Sequence, residues 1–177
     1  MGKEQIYTIG HSTRSAEDFI KMLKSFDIAL LADIRNFPGS RRFPHFGSEA
    51  LKVSLEAEGI SYRHFKDLGG RRHPRPDSRN NAWRVTAFRG YADYMETDEF
   101  ATAAEELEKT AQQQTTAIMC SEAVWWSCHR ALVADHLKVR GWEVLHIMKE
   151  GSADEHPYTR PARVVEGKLV YSKPQLF

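Results

Sequence analysis

Residues 115–130 are the most informative segment of this chain of 177 residues for possible chemistry. The apolar run from Thr115 to Cys120 is typical of a buried strand, and a loop and the first turn of a helix follow it. The strand end, loop and helix start contain both cysteines of the protein, a glutamate, a histidine, an arginine and two tryptophans. A hydrophobic core requires none of these polar types, whereas a chemical site at the carboxyl end of a strand uses several of them. The segment therefore predicts the position of a reactive site better than it predicts the type of reaction.

Glu122 and Cys128 are the candidate catalytic residues of this segment. The pattern predicts a helix from Cys128 to Gly141, and the dipole and unpaired amides at a helix N-terminus lower the pKa of a thiol. The same amides can instead bind a phosphate or a carboxylate. Glu122 has the carboxylate that a general acid or base needs, whereas Cys120 is interpreted mainly as a core residue. The expected substrate-binding residues here are Trp125, Trp126, His129 and Arg130.

A second candidate position follows the predicted first strand, residues 5–9. His11 has a titratable imidazole and Ser12 has a hydroxyl beside it, so we expect His11 to act in catalysis and Ser12 to bind substrate. The hydroxyls of this region can also cap the next helix, and Ser15 with Asp18 has the spacing of such a cap. One of the hydroxyls is expected to be a cap, and for His11 a site role and a structural role both stay open.

A third candidate position follows the predicted second strand, residues 28–33. Asp33 and Arg35 lie two residues apart and share a face of an extended chain, so the carboxylate can orient the guanidinium by an ion pair. We therefore expect a catalytic role for Asp33 and substrate binding by Arg35. A proline-rich loop follows and presents two further candidate substrate-binding residues, Ser40 and Arg41. The alternative for this loop is an ordinary solvated surface.

The charge distribution indicates an anionic ligand. The formal net charge is only +1, but residues 35–89 hold twelve basic residues against five acidic ones, a local balance of +7. Ten of the twelve are arginines, whose planar guanidinium suits phosphate or carboxylate. The alternative is a solvated basic face with counter-charges from elsewhere in the fold.

Other function classes have no support in the sequence. No apolar run approaches the ~20 residues of a membrane span, so no membrane partner is expected. The first residues lack a secretory signal, and two cysteines do not make a disulfide framework, so we expect a cytoplasmic protein. No phosphate-binding P-loop, zinc-ligand spacing or phosphatase-type loop with Arg six residues after Cys occurs, so no metal is expected and the cofactor is unknown. The length predicts a single domain over residues 1–177.

Strands alternate with helices along the chain. This order predicts a three-layer α/β fold with a mainly parallel sheet, helices on both faces and a small C-terminal β-hairpin. The predicted strands are residues 5–9, 28–33, 60–65, 115–120 and 142–147, and the hairpin is 162–165 with 168–171. Because ligands bind at the carboxyl ends of parallel strands, we expect one pocket formed by the residues that follow them: His11, Asp33, Arg35, Glu122 and Cys128.

Several of these motifs together resemble a known family. They are Thr8-Ile9-Gly10-His11-Ser12, Asp33-Ile34-Arg35 with Pro38, Ser40-Arg41, Pro44 and Phe46, Leu68-Gly69-Gly70, Gly90-Tyr91-Ala92-Asp93-Tyr94-Met95, Met119-Cys120-Ser121-Glu122 and Cys128-His129-Arg130. The pattern is similar to the family catalogued as domain of unknown function 488, over nearly the whole chain, with Ile34 where the family usually has Val. The family brings no established reaction. The functional residues that the resemblance implies are His11, Ser12, Asp33, Arg35, Ser40, Arg41, Cys120, Glu122, Cys128, His129 and Arg130.

Three functions agree with these residues. The first is an enzyme acting on a phosphorylated, nucleotide-like or nucleic-acid substrate, with the anion held by Arg35, Arg41 and Arg130 and a base stacked on a tryptophan. The second is a nucleic-acid-binding module without chemistry. The third is a thiol redox protein that uses Cys128, with Cys120 as its resolving partner. The sequence leaves the substrate and the oligomeric state open, a homo-oligomer included.

Overall fold

The computed structural model describes residues 3–39 and 41–175, in which strands and helices alternate. The main sheet is built from β1 (Gln5–Gly10), β2 (Leu30–Asp33), β3 (Ser61–His64), β4 (Thr116–Cys120), β5 (Glu143–Lys149) and β6 (Ser152–Glu155). Its strand order is β3-β2-β4-β1-β5-β6, parallel throughout except for β6, which pairs antiparallel with β5. The α-helices are α1 (Ala16–Lys24), α2 (Ser48–Glu56), α3 (Thr86–Tyr94), α4 (Asp98–Gln113) and α5 (Arg130–Val139).

The sheet separates two hydrophobic cores. On one face, α1 and α2 cover alternate residues of the central strands through Phe19, Leu23 and Leu51. On the other face, α3, α4 and α5 cover the residues in between, among them Tyr91, Phe100, Leu107 and Leu132. Each central strand is therefore apolar on both sides, which explains the continuous apolar runs in the sequence. None of the helices in the described residues has the length and apolar character needed to cross a membrane.

The α/β fold and the C-terminal hairpin are confirmed. β7 (Arg163–Val165) and β8 (Lys168–Val170) pair antiparallel, and both turn residues, Glu166 (φ 51°) and Gly167 (φ 76°), have the left-handed backbone of a tight hairpin. Ser15 caps α1 by accepting a hydrogen bond from the Asp18 amide at 3.0 Å, as the spacing indicates. Helix α2 begins at Ser48, and its N-cap residue Gly47 makes no side-chain hydrogen bond.

β4 lies between β1 and β2, and this order brings three loops to one edge of the sheet. The backbone pairing continues past the strand ends. The amides of His11 and Ser12 donate to the carbonyls of Cys120 (3.0 Å) and Ser121 (2.9 Å), and the Ile34 amide donates to Met119 (3.0 Å). The residues after the three strands are therefore fixed to one another by the sheet itself.

Candidate active site at the carboxyl edge of the sheet

A cleft of about 640 Å³ opens at this edge of the sheet. The loops after β1, β2, β3 and β4 all contribute to its walls. Of the residues expected from the sequence, those that line it are His11, Ser12, Arg35, Cys120, Glu122, Cys128 and His129. The loops that follow four strands thus bring together side chains that are far apart in the chain.

Arg35 is held in place by a buried carboxylate behind it. Asp33 is completely buried and accepts from the Arg35 side chain at Nε (2.9 Å) and Nη2 (2.7 Å), and also from the Arg35 amide (3.0 Å). The Tyr62 hydroxyl donates to the same carboxylate at 2.5 Å. Asp33 does not line the cleft, so its contribution is to fix the guanidinium that does. Arg35 keeps Nη1 for other partners, because its Nε and Nη2 are used by Asp33.

His11 presents a neutral imidazole to Arg35. Its Nδ1 donates to the Ser12 carbonyl at 3.0 Å, so Nε2 carries the lone pair and accepts from Nη1 of Arg35 at 3.4 Å. The ring stacks on Phe46 with the ring centres 4.4 Å apart. Burial lowers the pKa of His11 below 6.5, and the positive charge of Arg35 lowers it further. His11 is therefore a candidate proton acceptor at neutral pH.

The two cysteines form a pair at the side of the cleft. Their Sγ atoms lie 2.6 Å apart, and both residues are free cysteines. The sequence interpretation of Cys120 as mainly a core residue is incomplete, because Cys120 is buried in the core but also lines the cleft and contacts Cys128. The pair contacts the start of α5 through one hydrogen bond of 3.4 Å, from the Arg130 amide to the sulfur of Cys128.

The prediction that Cys128 opens a helix and has a lowered pKa is wrong. Helix α5 begins at Arg130, after the N-cap His129, and Cys128 has extended backbone just before it. Burial and the hydrogen bond with Cys120 raise the pKa of Cys128. Burial also acts to raise the pKa of Cys120, but the hydrogen bond from Cys128 and the charge of Arg130 outweigh it and the pKa is lowered. The pair therefore loses one proton readily and holds the second.

Arg130 is a buried cation that organises the loop between β4 and α5. Its side chain is 1% exposed, and Nη2 donates to the carbonyls of Glu122 (3.2 Å) and Ala123 (3.4 Å). Its Nε has no hydrogen-bond partner within residues 3–39 and 41–175, nor does any carboxylate there form a salt bridge with it. A buried charge without a counter-ion is costly, and a thiolate on Cys120 would partly neutralise it. Arg130 is buried and does not line the cleft, so direct substrate binding by Arg130 has no support from its position.

Two glycines let the loops of the cleft approach one another. A Cβ on Gly10 would lie 1.6 Å from the carbonyl oxygen of Glu122, and a Cβ on Gly70 would lie 2.8 Å from Nδ1 of His129. His129 donates from Nε2 to the Ile34 carbonyl at 2.8 Å, and its burial lowers its pKa to about 4. His129 therefore connects the β4 loop to the end of β2 as a neutral ring.

The cleft also contains backbone strain. Ser12 (φ 47°) and Arg71 (φ 60°) have left-handed backbone, which costs a residue with a side chain about 1–2 kcal/mol. Both residues line the cleft. Strain of this kind is common at functional sites, where the surrounding structure holds a residue in an unfavourable backbone conformation that the function requires.

Some expected substrate-binding residues lie away from the cleft. Trp125 stacks on His146 with ring centres 4.8 Å apart, and Trp126 is 56% exposed; neither lines the cleft. Arg41 is exposed and its neighbour Arg42 lines the cleft instead. The expectation for Ser40 lies outside the described residues.

Six further aromatic and basic residues, outside the expected set of site residues, also line the cleft. They are Phe37, Arg42, Phe43, Arg71, Phe88 and Tyr91. Arg71 lies over the ring of Phe37, and Arg42 over that of Phe43, each 5.6 Å from the ring centre. For Phe37, Arg42 and Phe43, the sequence pattern that indicates such a surface is the alternation of arginine with phenylalanine in residues 35–46.

Much of the remaining basic segment is paired within the protein. Arg75 and Arg79 form ion pairs with Glu96, and Arg72 lies 3.6 Å from the ring centre of Tyr94. The positive charge that faces the cleft therefore comes from a few arginines of the segment. The described part of the chain contains no cluster of three or more His, Cys, Asp or Glu side chains arranged for a metal ion.

Comparison with known proteins gives one family. Residues 15–137 match the model of the family described as domain of unknown function DUF488, a region that includes Asp33, Arg35 and both cysteines; His11 lies before it. No curated protein and no solved structure matches the chain. Because the matched region is more than half of the chain, the protein belongs to the DUF488 family.

Proposed function

We propose that this protein is an enzyme that acts on a phosphorylated, nucleotide-like substrate in the cleft at the carboxyl edge of the sheet. The observation that carries the proposal is the combination of three groups in one cavity: Arg35 fixed by Asp33, the neutral His11 that faces it, and the thiol pair. A cleft of about 640 Å³ has the size of a small-molecule site.

The charge of the cleft supports an anionic substrate. Three arginines line the cleft, Arg35, Arg42 and Arg71, whereas Glu122 is the one acidic residue among the described residues that line it. Arg35 is pre-oriented, so it binds a phosphate without the entropy cost of ordering a free side chain. Phe37, 66% exposed beside these cations, offers a face on which a base can stack.

His11 and the thiol pair would supply the chemistry. A thiolate is a nucleophile, and the lowered pKa of Cys120 favours its formation beside the buried charge of Arg130. The Nε2 of His11 can accept a proton, and Glu122, an exposed residue that lines the cleft, is the second candidate for proton transfer.

Binding of 5′-nucleoside monophosphates, measured by calorimetry, tests the proposal. The exposed pair R42Q R71Q should weaken binding by about tenfold or more, since each charge-assisted hydrogen bond contributes about 1.5–3 kcal/mol. The control is R63Q, which removes an arginine paired with Glu106 away from the cleft and should bind as the unaltered protein does. Absence of nucleotide binding, or equal losses in R63Q, would overturn the proposal.

A turnover assay on the nucleotides that bind separates an enzyme from a binding module without chemistry. In the enzyme, H11N and C120S should each abolish turnover while they retain binding through the arginines. Nucleotide binding with no turnover by the unaltered protein would favour the binding module.

The distance between the two sulfur atoms also favours a thiol redox protein as a second candidate. Sulfur atoms 2.6 Å apart need only a small movement to form a disulfide. Equilibration in glutathione buffers, followed by alkylation and mass spectrometry, would show reversible loss of two alkylation sites in a redox protein. Full nucleotide turnover in excess reductant would reject this candidate. No oxidation of the two thiols over the range of glutathione buffers would also reject it.

A further inference from the structure

A second cleft, of about 600 Å³, lies between the segment before α3 and the C-terminal hairpin. Its walls carry four cations: Arg84, Arg160, Arg163 and Lys173. None of the described residues that line it is acidic. Arg163 donates to the Ser172 carbonyl at 2.8 Å and holds the hairpin, whereas the other three cations have no salt-bridge partner in the described part of the chain. Such a surface fits a polyanion.

The second cleft adjoins the candidate active site. Val85 lines the second cleft and Ala87 lines the first, and residues two apart in a chain lie within about 7 Å of each other. Trp83 of the second cleft packs edge-on against Phe88 of the first, with ring centres 5.2 Å apart. The indole Nε1 of Trp83 is buried and has no hydrogen-bond partner among the residues described. A ligand longer than a mononucleotide can therefore contact both clefts.

We infer that the ligand of this protein is a single-stranded nucleic acid, with one nucleotide in the first cleft and the adjoining backbone along the cations of the second. The inference rests on the proposed function, and it extends the ligand from one nucleotide in the first cleft to a strand that reaches the second. Proteins that bind single strands combine a basic groove for the phosphates with aromatic faces for unpaired bases. The first cleft supplies the faces, Phe37 and Phe88, and the second supplies Arg84, Arg160 and Lys173.

Fluorescence anisotropy with labelled DNA and RNA single strands, from two to about twelve nucleotides, tests this inference. Affinity should increase with length until both clefts are filled and then level off. Strands of DNA and RNA in separate titrations show which sugar is preferred, and either preference agrees with the inference. An equally long poly-glutamate that binds as tightly would overturn the assignment to nucleic acid.

The double variant R160Q K173Q tests the second cleft directly. At about 0.1 M salt it should weaken binding of the longest strand about 25-fold, since each phosphate contact on a single strand contributes about 0.7 to the salt slope. Binding of a dinucleotide should be unchanged. The control R63Q K109Q removes the same two residue types from ion pairs outside both clefts and should have no effect.

The outcomes separate the inference from the proposed function. Length-independent affinity, or a long strand that R160Q K173Q binds normally, overturns the inference while nucleotide binding in the first cleft stands. Failure of every nucleotide and every strand to bind overturns both. Loss of the dinucleotide in R160Q K173Q also overturns the inference, because it would show that the first cleft depends on these residues.

Discussion

Two buried polar clusters of this protein differ in how completely their groups are satisfied. In the first, which we call the closed cluster, the side chains of Thr8, His146, His156 and Asp135 form a continuous chain of hydrogen bonds of 2.5, 2.8 and 2.8 Å. Asp135 also accepts from the Thr159 amide and hydroxyl and from the Tyr171 hydroxyl. All of these residues are buried, and the cluster connects β1, β5, α5 and the C-terminal segment.

The second cluster lies at the candidate active site, and it is incompletely satisfied. The buried Arg130 has an Nε atom without a partner and no carboxylate in the described residues to balance its charge. Ser12 and Arg71 have strained left-handed backbone. The thiol groups of Cys120 and Cys128 contact each other beside an open cleft.

The contrast distinguishes polar residues that stabilise the fold from polar residues that are candidates for function. A buried network in which every group is paired stabilises a unique fold and leaves no group free to react. Unpaired buried charge and strained backbone lower stability, and they are typical of positions where a ligand completes the structure. Residue type alone does not make this distinction, because buried histidine and aspartate occur in the closed cluster, as His146 and Asp135, and also at the candidate active site, as His11 and Asp33.

The largest expected effect is loss of stability when the closed cluster is broken. Asp135→Ala removes the acceptor of His156, Thr159 and Tyr171 and leaves their buried donors without partners. We expect a loss of about 3–5 kcal/mol in the free energy of unfolding, measured with urea. Asp77→Ala is the control, since its carboxylate is 86% exposed and should change stability by less than about 0.5 kcal/mol. A small effect of Asp135→Ala would show that the closed cluster is not structural.

Acidification should destabilise the protein through its buried histidines. Burial lowers the pKa of His129 to about 4 and that of His146 to about 2, whereas in the unfolded chain both have ordinary values near 6.5. Below pH 6.5 the unfolded state therefore binds protons that the folded state does not, and stability falls as the pH decreases towards 4. His129 alone contributes about 3 kcal/mol to this loss.

The titration of His129 and His146 distinguishes the two clusters. His129, beside the cleft, should titrate at a higher pH than His146, in the closed cluster, when both are followed by NMR. His129→Gln should reduce the pH dependence of stability between 6.5 and 4 by about one proton. The exposed His73→Gln is the control. Equal slopes in the two variants would contradict the assignment of a neutral, buried His129.

A smaller loss of stability is expected from a substitution at the point where the loops of the cleft approach each other. Gly10→Ala would place a Cβ 1.6 Å from the Glu122 carbonyl, so the β4 loop must shift, at a cost of about 1–3 kcal/mol. The shift should also reduce ligand binding, because Glu122 and Cys128 belong to that loop. Gly39→Ala is the matched control: Gly39 lines the same cleft, but its Cβ would meet nothing within 4 Å. Equal urea midpoints for the two variants would mean that the loop is not tightly packed.

The sequence predicted the sheet and the polar residues that follow its strands because both depend on local patterns. Apolar runs define β2 and β4, and polar residues immediately after them must lie at the carboxyl edge of a parallel sheet. The ion pair of Asp33 and Arg35 followed from their spacing on a strand and is present at 2.7 Å.

The remaining features depend on contacts between distant segments. Cys120 and Cys128 meet because the loop between them turns back, with Arg130 bound to its carbonyls. The closed cluster joins residues from Thr8 to Tyr171, and its histidines have no periodic pattern in the chain. The missed antiparallel strand β6 is short and polar, with two exposed residues, and therefore lacks the apolar run of a central strand.

The smallest expected effect is a gain in the free energy of unfolding when the backbone strain at Ser12 is relieved. Glycine adopts left-handed backbone without steric cost, so Ser12→Gly should raise the free energy of unfolding by about 0.5–1 kcal/mol. If the strain serves the cleft, the same variant should bind nucleotide more weakly, since a more flexible loop no longer fixes His11 beside Arg35. Asp27→Gly relieves a similar backbone strain (φ 53°) away from the cleft and should gain stability with unchanged binding. Urea unfolding measures the stability of the two variants, and calorimetry measures their nucleotide binding. Equal binding by both variants would show that the strain at Ser12 does not contribute to the cleft.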